Sequence, residues 1–220
     1  MIIDFPLIAR IYPALLHGAW VSVQIAAFSC SMGIVLGTIL GLASCSCNKL
    51  LAGAVSLYTT IVRGIPMLIQ VMFVAYVLPE IGLNIPLFWG AVLAIGFNSA
   101  AYVSHIIRSG ILSVDAGQVE AAHVLGLSRF EIMRYIVLPQ AFRVVLPALG
   151  NEFVTLVKDS SLASTVGVVE LAKVGSIVRS QTLDVVTVFT AVGLIYLAMT
   201  VTTSALISWL EKRMNRHAVS

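Results

Sequence analysis

The sequence predicts an all-α protein that crosses a lipid bilayer about five times. Of its 220 residues, 59% are hydrophobic and 10% are charged, and its mean hydropathy is +1.01. An ordinary soluble domain carries charge on about a quarter of its residues. Charged residues are absent from four runs, 11–48, 64–79, 81–107 and 185–210. Because a bilayer core about 30 Å thick requires roughly 20 apolar residues in a helix, these runs favour membrane spans over buried helices.

We predict five spans, over residues 18–43, 54–79, 86–107, 141–158 and 185–210. The first, third and last lie within charge-free runs. The second requires Arg63 to be tolerated in the membrane, because the run that begins at Gly64 is short by itself. Pro79, Gly82 and Pro86 predict a tight connection between the second and third spans.

The fourth span is irregular, since it contains Pro147, Gly150 and Glu152. A second apolar run, residues 160–169, follows it. Counting both as crossings would place the basic C-terminal residues outside the cell. We therefore predict a single crossing, with the second run re-entrant or lying near the outer face, and the path of residues 160–184 stays open.

The placement of Lys and Arg predicts the orientation of the chain. One side of the membrane holds eight of them, at Lys49, Arg108, Arg129, Arg134, Arg143, Lys212, Arg213 and Arg216. The other side holds three, at Arg10, Lys173 and Arg179. Because cytoplasmic loops carry the excess of basic residues, we expect the N-terminus outside and the C-terminus inside.

Several kinds of function are excluded. The chain has no G-x-x-x-x-G-K-[ST] motif, so it is not expected to hold ATP by a P-loop. Neither a metal-ligand cluster nor a nucleophile with a base at fixed spacing is found, which argues against a metal site and an enzyme. The basic residues are scattered, which argues against nucleic-acid binding. Cys30, Cys45 and Cys47 are expected to pack as small residues, and no cleavable signal is predicted.

The polar segment 113–140 is predicted to form two short helices on the cytoplasmic side. Asp115 followed by Gln118 indicates an N-cap with a capping-box partner. Gly126 is placed to end the first helix as its C′ residue. Ser128 and Glu131 repeat the capping-box signature for a second helix.

The second helix is predicted to end at Pro139. The two helices then meet at a sharp turn, Leu125-Gly126-Leu127. The two leucines either face the cytosol or fold back onto the helical bundle, and local physics does not decide between these alternatives.

The loop also carries a long motif. Glu120-Ala121-Ala122, then Gly126, then nine residues and Ile136-Val137-Leu138-Pro139 resemble the EAA loop of ABC-importer permeases. Four further segments resemble the polar amino acid branch of these permeases, which includes histidine, arginine and glutamine importers: Arg63-Gly64-Ile65-Pro66, Asn98-Ser99-Ala100-Ala101-Tyr102, Leu146-Pro147-Ala148-Leu149-Gly150-Asn151 and Lys158-Asp159-Ser160-Ser161-Leu162. The resemblance covers about residues 15–213.

This resemblance implies a type I ABC importer fold, with residues 1–220 forming one permease domain in the bacterial inner membrane. It implies a second permease subunit, identical or different, two ATPase subunits that bind ATP and Mg²⁺, and an extracytoplasmic solute-binding protein. The EAA turn would be a coupling helix seated in the ATPase. The ATPase-coupling residues are then Glu120, Ala121, Ala122, Leu125, Gly126, Leu127 and Pro139.

Polar residues at membrane depth are candidates for a substrate path, because such residues are costly in lipid. Arg63 either contacts substrate or snorkels and braces the adjacent kink. Asn98 and Tyr102 lie on one helical face, with Ser99 beside them, and these residues either face a central cavity or bond helix to helix.

Asp159 precedes Ser160 and Ser161, and its carboxylate could accept a substrate ammonium or guanidinium group. The alternative is a local ion pair with Lys158 or Arg179. The sequence thus predicts a permease subunit for polar or cationic amino acids that binds no cofactor itself. The rival hypothesis is a secondary transporter or channel that works without ATP, but the inverted repeats usual in secondary transporters are not found.

Overall fold

A computed structural model describes residues 3–46 and 48–216, so the expectation for Cys47 lies outside the described residues. Helices occupy 88% of the described residues, and none of these residues lies in a strand. In order these are α1 (Phe5–Ser44), α2 (Lys49–Gly64), α3 (Met67–Glu80), α4 (Leu87–Leu112), α5 (Ala116–Val124), α6 (Arg129–Val166), α7 (Leu171–Thr182) and α8 (Val185–Arg216). Four are long and apolar enough to cross a membrane, or five if the bent pair α2–α3 is one span. The predicted all-α membrane fold is confirmed.

Helix α1 begins well before the predicted span 18–43. Asp4 caps it by accepting a hydrogen bond from the Leu7 N–H, at 3.0 Å. The Asp4 N–H donates to Thr187 Oγ1 at 2.9 Å, which ties the start of α1 to the start of α8. Pro13 lies inside the helix and does not interrupt it.

The predicted second span, 54–79, is a broken helix. Helices α2 and α3 bend by 97° at Ile65 and Pro66. Proline disfavours helical geometry in the residue before it, and Ile65 is extended, with φ −98° and ψ 130°. Gln70 Nε2 donates to the carbonyls of Val62 and Ile65, at 2.7 and 2.8 Å, which satisfies groups that the break leaves without helical partners.

The prediction that Pro139 ends a helix is wrong. Residues Met133–Val137 form a π-helical turn, in which the Leu138 N–H donates to the Met133 carbonyl, and helix α6 continues through the proline. The wider turn accommodates a residue that lacks an N–H and would otherwise crowd the carbonyl one turn before it. The same arrangement occurs in α3, where a π-helical turn at Phe73–Val77 precedes Pro79.

The second apolar run, residues 160–169, continues α6 as a 3₁₀ turn, Ser160–Val166. Ala163 and Val166 are buried in the main core, and the turn packs against the start of α3. Gly167 then reverses the chain with φ +101°. The run therefore lies inside the bundle and leads to α7.

Three glycines on α1 bring this helix into close contact with α4. Gly33, Gly37 and Gly41 repeat every fourth residue, and each is buried. A Cβ atom on Gly37 would lie 2.5 Å from the Val103 Cβ and 2.8 Å from the Ala100 carbonyl oxygen. The Cβ positions of the other two would meet Ser99 and Ile107 at 2.5 and 2.7 Å. This small-residue seam lets the two backbones approach, which is how helices commonly associate in membranes.

A buried carboxylate links three helices. Glu170 is fully buried and caps α7, accepting hydrogen bonds from the N–H groups of Ala172 and Lys173 at 3.0 and 2.8 Å. It also accepts from Ser22 Oγ of α1 at 3.0 Å and from the Tyr196 hydroxyl of α8 at 2.7 Å. Four donors around one carboxylate satisfy a charge that would otherwise be costly to bury.

The glycine seam predicts that Gly37→Ala destabilises the protein by about 1–3 kcal/mol, because the added methyl group collides with a backbone carbonyl that cannot move aside. The measurement is the unfolding temperature of the purified protein in detergent. Gly53→Ala is the matched control: Gly53 lies in α2 with nothing within 4 Å of its Cβ position, so this change should stabilise α2 by about 1 kcal/mol. Equal effects of the two changes would contradict the close contact.

Candidate functional site

The first candidate site is the connection between α4 and α6, which contains α5. Asp115 caps α5, and its Oδ1 accepts a hydrogen bond from the Gly117 N–H at 2.8 Å, so the predicted N-cap is confirmed. The predicted role of Gln118 as its capping-box partner is not confirmed. The Gln118 side-chain oxygen instead accepts from Gln140 Nε2 at 2.6 Å, which ties α5 to the first turns of α6. The side chain of Gln118 thus links two helices and does not cap its own.

The turn after α5 has the geometry that the sequence predicts. Gly126 has φ +81°, a left-handed conformation that is strained for residues with a side chain. The Leu127 N–H donates to the Ala122 carbonyl at 3.1 Å and the Gly126 N–H donates to the His123 carbonyl at 3.0 Å. This pair of bonds is a Schellman motif, so the C′ role predicted for Gly126 is confirmed.

The capping box at the start of α6 is also confirmed. The Glu131 N–H donates to Ser128 Oγ at 3.3 Å, and Glu131 Oε2 accepts from the Ser128 N–H and hydroxyl at 2.8 and 2.7 Å. These hydrogen bonds lower the pKa of Glu131, which precedes the predicted fourth span. Both helix ends at the turn are therefore fixed by local hydrogen bonds.

The two leucines of the turn behave differently: one is exposed, and the other folds back onto the protein. Leu125 is 79% exposed, and the neighbouring Val124 is 87% exposed. Leu127 is half-buried and packs with Ala122 and Ile132, in a small cluster beneath the turn. One leucine therefore anchors the turn while the other points away from the molecule.

The remaining coupling candidates frame this turn. Glu120 and Ala121 are exposed, whereas Ala122 is buried. Pro139 is exposed in the first turn of the α6 segment after its π-helical turn. The result is an exposed apolar knob, Val124 and Leu125, on a rigid base.

The second candidate site lies between α2 and α4. The Arg63 guanidinium stands over the Tyr102 ring, 4.9 Å from its centroid, and both side chains are exposed. Asn98 is buried, and its Nδ2 donates to the Val62 carbonyl at 3.5 Å. Arg63, in the last turn of α2, is thus held against α4 at Tyr102.

Two serines that were predicted to line the substrate path already donate their hydroxyl hydrogen bonds within the protein. Ser99 is fully buried, and its Oγ donates to Glu152 Oε1 at 2.8 Å, joining α4 to α6. Ser160 is also fully buried, and its Oγ donates to the Val157 carbonyl at 2.8 Å. Neither hydroxyl is turned towards open space, while Ser161 is half-buried.

Asp159 and Glu152 form a carboxylate pair on one face of α6. They are seven residues apart, which puts them two turns and about 10 Å from one another. Asp159 is half-buried, and no group among the described residues donates a hydrogen bond to its carboxylate. Glu152 has the same two interpretations as Asp159, a substrate contact or a local partner, and the spacing of seven residues alone predicts that the two share a helical face. No group of three or more metal-ligating residues occurs in the part of the chain that the structure describes.

Residues 33–216 match the family described as the inner membrane component of binding-protein-dependent transport systems. The chain belongs to this family. The arginine transport system permease protein ArtQ of Bacillus subtilis is 36% identical over 197 residues, which cover 89% of this chain and 90% of that protein. The glutamine transport system permease protein GlnP of Escherichia coli K12 is 35% identical and covers 96% of this chain and 97% of that protein.

A solved structure agrees with these relatives. The crystal structure of an amino acid ABC transporter with histidines contains a chain that is 36% identical, with a TM-score of 0.92, and the match covers 97% of this permease and all of that chain. This permease is accordingly a transport subunit of an ABC importer, of the group whose named relatives carry amino acids, and ATP is hydrolysed by separate subunits. A channel or secondary transporter is not favoured. Such importers work with a partner permease, an ATPase and a binding protein.

The two leucines of the turn should differ in their contribution to the stability of the loop. Leu127→Ala should destabilise the loop by about 2 kcal/mol, since a half-buried leucine falls at the low end of the cost of core truncation. Leu125→Ala should leave stability unchanged, because that side chain is 79% exposed. Hydrogen exchange of the amides in α5 measures both. Faster exchange in Leu125→Ala than in Leu127→Ala would contradict the packing of the turn.

Proposed function

We propose that this permease imports polar and cationic amino acids, with its Leu125-Gly126-Leu127 turn seated in a partner ATPase. The observation that carries this proposal is the exposed knob of Val124 and Leu125, fixed by the Schellman motif and the capping box. Large apolar side chains exposed at a rigid turn outside the bilayer are typical of a protein interface. The knob also coincides with the EAA motif that indicates ATPase binding.

The polar groups suggest how an amino acid would be held. Every free amino acid carries a carboxylate and an ammonium group, and a cationic one carries a second positive group. We assign the carboxylate to Arg63, whose guanidinium is exposed over Tyr102. We assign the positive group to Asp159, supported by Glu152 on the same face of α6. Charge-assisted hydrogen bonds of this kind are about twice as strong as neutral ones.

The named relatives support this class of cargo, because they include permeases of arginine, glutamine and nopaline transport systems. Ser99 and Ser160 are assigned a structural role, since their hydroxyls are occupied within the protein. Ser161, Asn98 and Tyr102 complete the proposed path. The acidic pair favours cationic over anionic amino acids.

The proposed assembly contains two permease subunits, identical or different, and two ATPase subunits that bind ATP and Mg²⁺, while this chain binds no cofactor. In this proposal the α5 loop and the C-terminus lie in the cytoplasm, which the excess of Lys and Arg on the side of that loop supports. ATPase closure would then move the two coupling turns together and expose the path to the opposite side of the membrane.

The coupling assignment predicts that Gly126→Val lowers substrate-stimulated ATP hydrolysis at least about tenfold. Valine is strained at φ +81°, so the turn would reorganise and displace the apolar knob. The measurement is ATP hydrolysis by the purified complex in vesicles, with the binding protein and substrate supplied. Gly126→Asn should retain most of the activity, since asparagine tolerates this conformation.

Gly82 supplies the matched control for this experiment. It has φ +86°, and nothing lies within 4 Å of its Cβ position, as at Gly126, but it sits between α3 and α4. Gly82→Val imposes the same local strain at a site away from the ATPase, so hydrolysis should remain coupled to substrate. A similar loss in both variants would rule out the coupling role of the Gly126 turn.

The substrate assignment predicts that Asp159→Asn raises the KM for arginine uptake about tenfold or more, because a charge-assisted hydrogen bond contributes about 1.5–3 kcal/mol. The KM for glutamine uptake should change less. Uptake into vesicles that contain the complete transporter provides the measurement, and Glu80→Gln, at an exposed residue of α3, is the control. Unchanged arginine kinetics with normal ATP coupling would refute the role of Asp159 and leave the coupling assignment intact.

A further inference from the structure

A cavity of about 280 Å³ lies where α1 ends, α2 begins and α4 ends. Its polar lining comes from four hydroxyl residues and two nitrogen-bearing ones, namely Ser44, Ser56, Thr59, Ser104, His105 and Arg108. This end of α4 leads directly into the α5 loop. The cavity therefore lies at the level of the helix ends, separate from the carboxylates of the proposed substrate path.

The charge of this cavity is positive. No acidic residue is among those of the described chain that line it. Arg108 lies in the lining, one helical turn after His105 on α4. Arg63 stands over Tyr102, one helical turn from His105 along α4. A cavity with two guanidinium groups nearby and no acidic group in its lining favours an anion and repels a cationic amino acid.

The hydrogen bonds already made show which groups remain to bind such an anion. The hydroxyls of Thr59, Ser104 and Ser44 donate to carbonyls of their own helices, at 3.0, 2.8 and 2.6 Å. Arg108 Nη1 donates to the Ser44 carbonyl, which fixes the guanidinium against the cavity wall. A guanidinium carries five donors, so most of those on Arg108 remain for a ligand, together with the exposed hydroxyl of Ser56.

The position of the cavity indicates the source of the anion. Helix α2 carries exposed apolar side chains beside it, with Leu57 at 63% and Ile61 at 51% exposure. A phosphate in the cavity would thus have an apolar surface next to it that suits acyl chains. With the orientation proposed above, on which this inference rests, the cavity lies on the cytoplasmic side, where basic pockets between helices are typical binding sites for anionic lipid headgroups. We infer that this cavity binds the phosphate group of an anionic phospholipid through Arg108, His105 and Ser56.

The test uses the permease in complex with its ATPase partner. The complex is reconstituted in phosphatidylcholine nanodiscs, with or without phosphatidylglycerol, and is then released from them. Native mass spectrometry measures how much phosphatidylglycerol stays bound. Ser56→Asp, which puts a carboxylate into the cavity, and Arg108→Gln, which removes a charge, should each lower retention about fivefold. Ser56→Asn and Lys212→Gln, a change of the same charge at an exposed position of α8, should retain the lipid.

Ser56→Asp keeps the inference testable if Arg108→Gln fails to fold, since Ser56 is exposed and its side chain is not needed for packing. Equal retention by Ser56→Asp and Ser56→Asn would overturn the site. Wild-type protein that retains phosphatidylcholine as well as phosphatidylglycerol would do the same. Displacement of the lipid by inorganic phosphate at matched concentration would show a free phosphate as the ligand and overturn the lipid assignment.

Discussion

The close contact of α1 with α4 is the constraint on which the other features of this permease depend. Lipid tails are as apolar as the helix surfaces, so the hydrophobic effect does not drive these helices together within the membrane. Contact must come from shape, and Gly33, Gly37 and Gly41 supply it by leaving no side chain between the backbones. Helix α4 is thereby fixed along most of its length. It carries the residues that meet Arg63 and Glu152, and it leads into the proposed coupling turn.

Local interactions explain why so much of the fold and of the geometry of the Leu125-Gly126-Leu127 turn could be predicted from the sequence. Hydropathy identifies helices because each apolar run must be long enough for the bilayer by itself. The N-cap at Asp115, the left-handed Gly126 and the capping box at Ser128 depend only on residues a few positions apart. The glycine repeat on α1 was equally readable, since small residues at every fourth position indicate a helix contact.

The failures came where tertiary packing chooses between two local outcomes. A proline removes one helical hydrogen bond, and the chain can respond by breaking or by widening. At Pro66 it breaks, with Gln70 capping the freed carbonyls. At Pro139 it widens into a π-helical turn, because Ile132 and Val137 must both reach the small core beneath the coupling turn. In the same way, spacing placed Ser99 on a face of α4 but could not show that Glu152 occupies its hydroxyl.

The widened helix has a mechanical consequence for the proposed coupling. Because α6 continues through Pro139, one helix runs from the coupling turn at Arg129 to Asp159, a distance of about 45 Å at the rise of an α-helix. Had the chain broken at Pro139, movement of the turn would have been absorbed by a flexible joint. The Gln118–Gln140 hydrogen bond further joins α5 to this helix on the far side of the proline. In the proposed coupling, displacement of the turn by an ATPase would therefore be transmitted along a continuous helix to the carboxylates of the proposed substrate path.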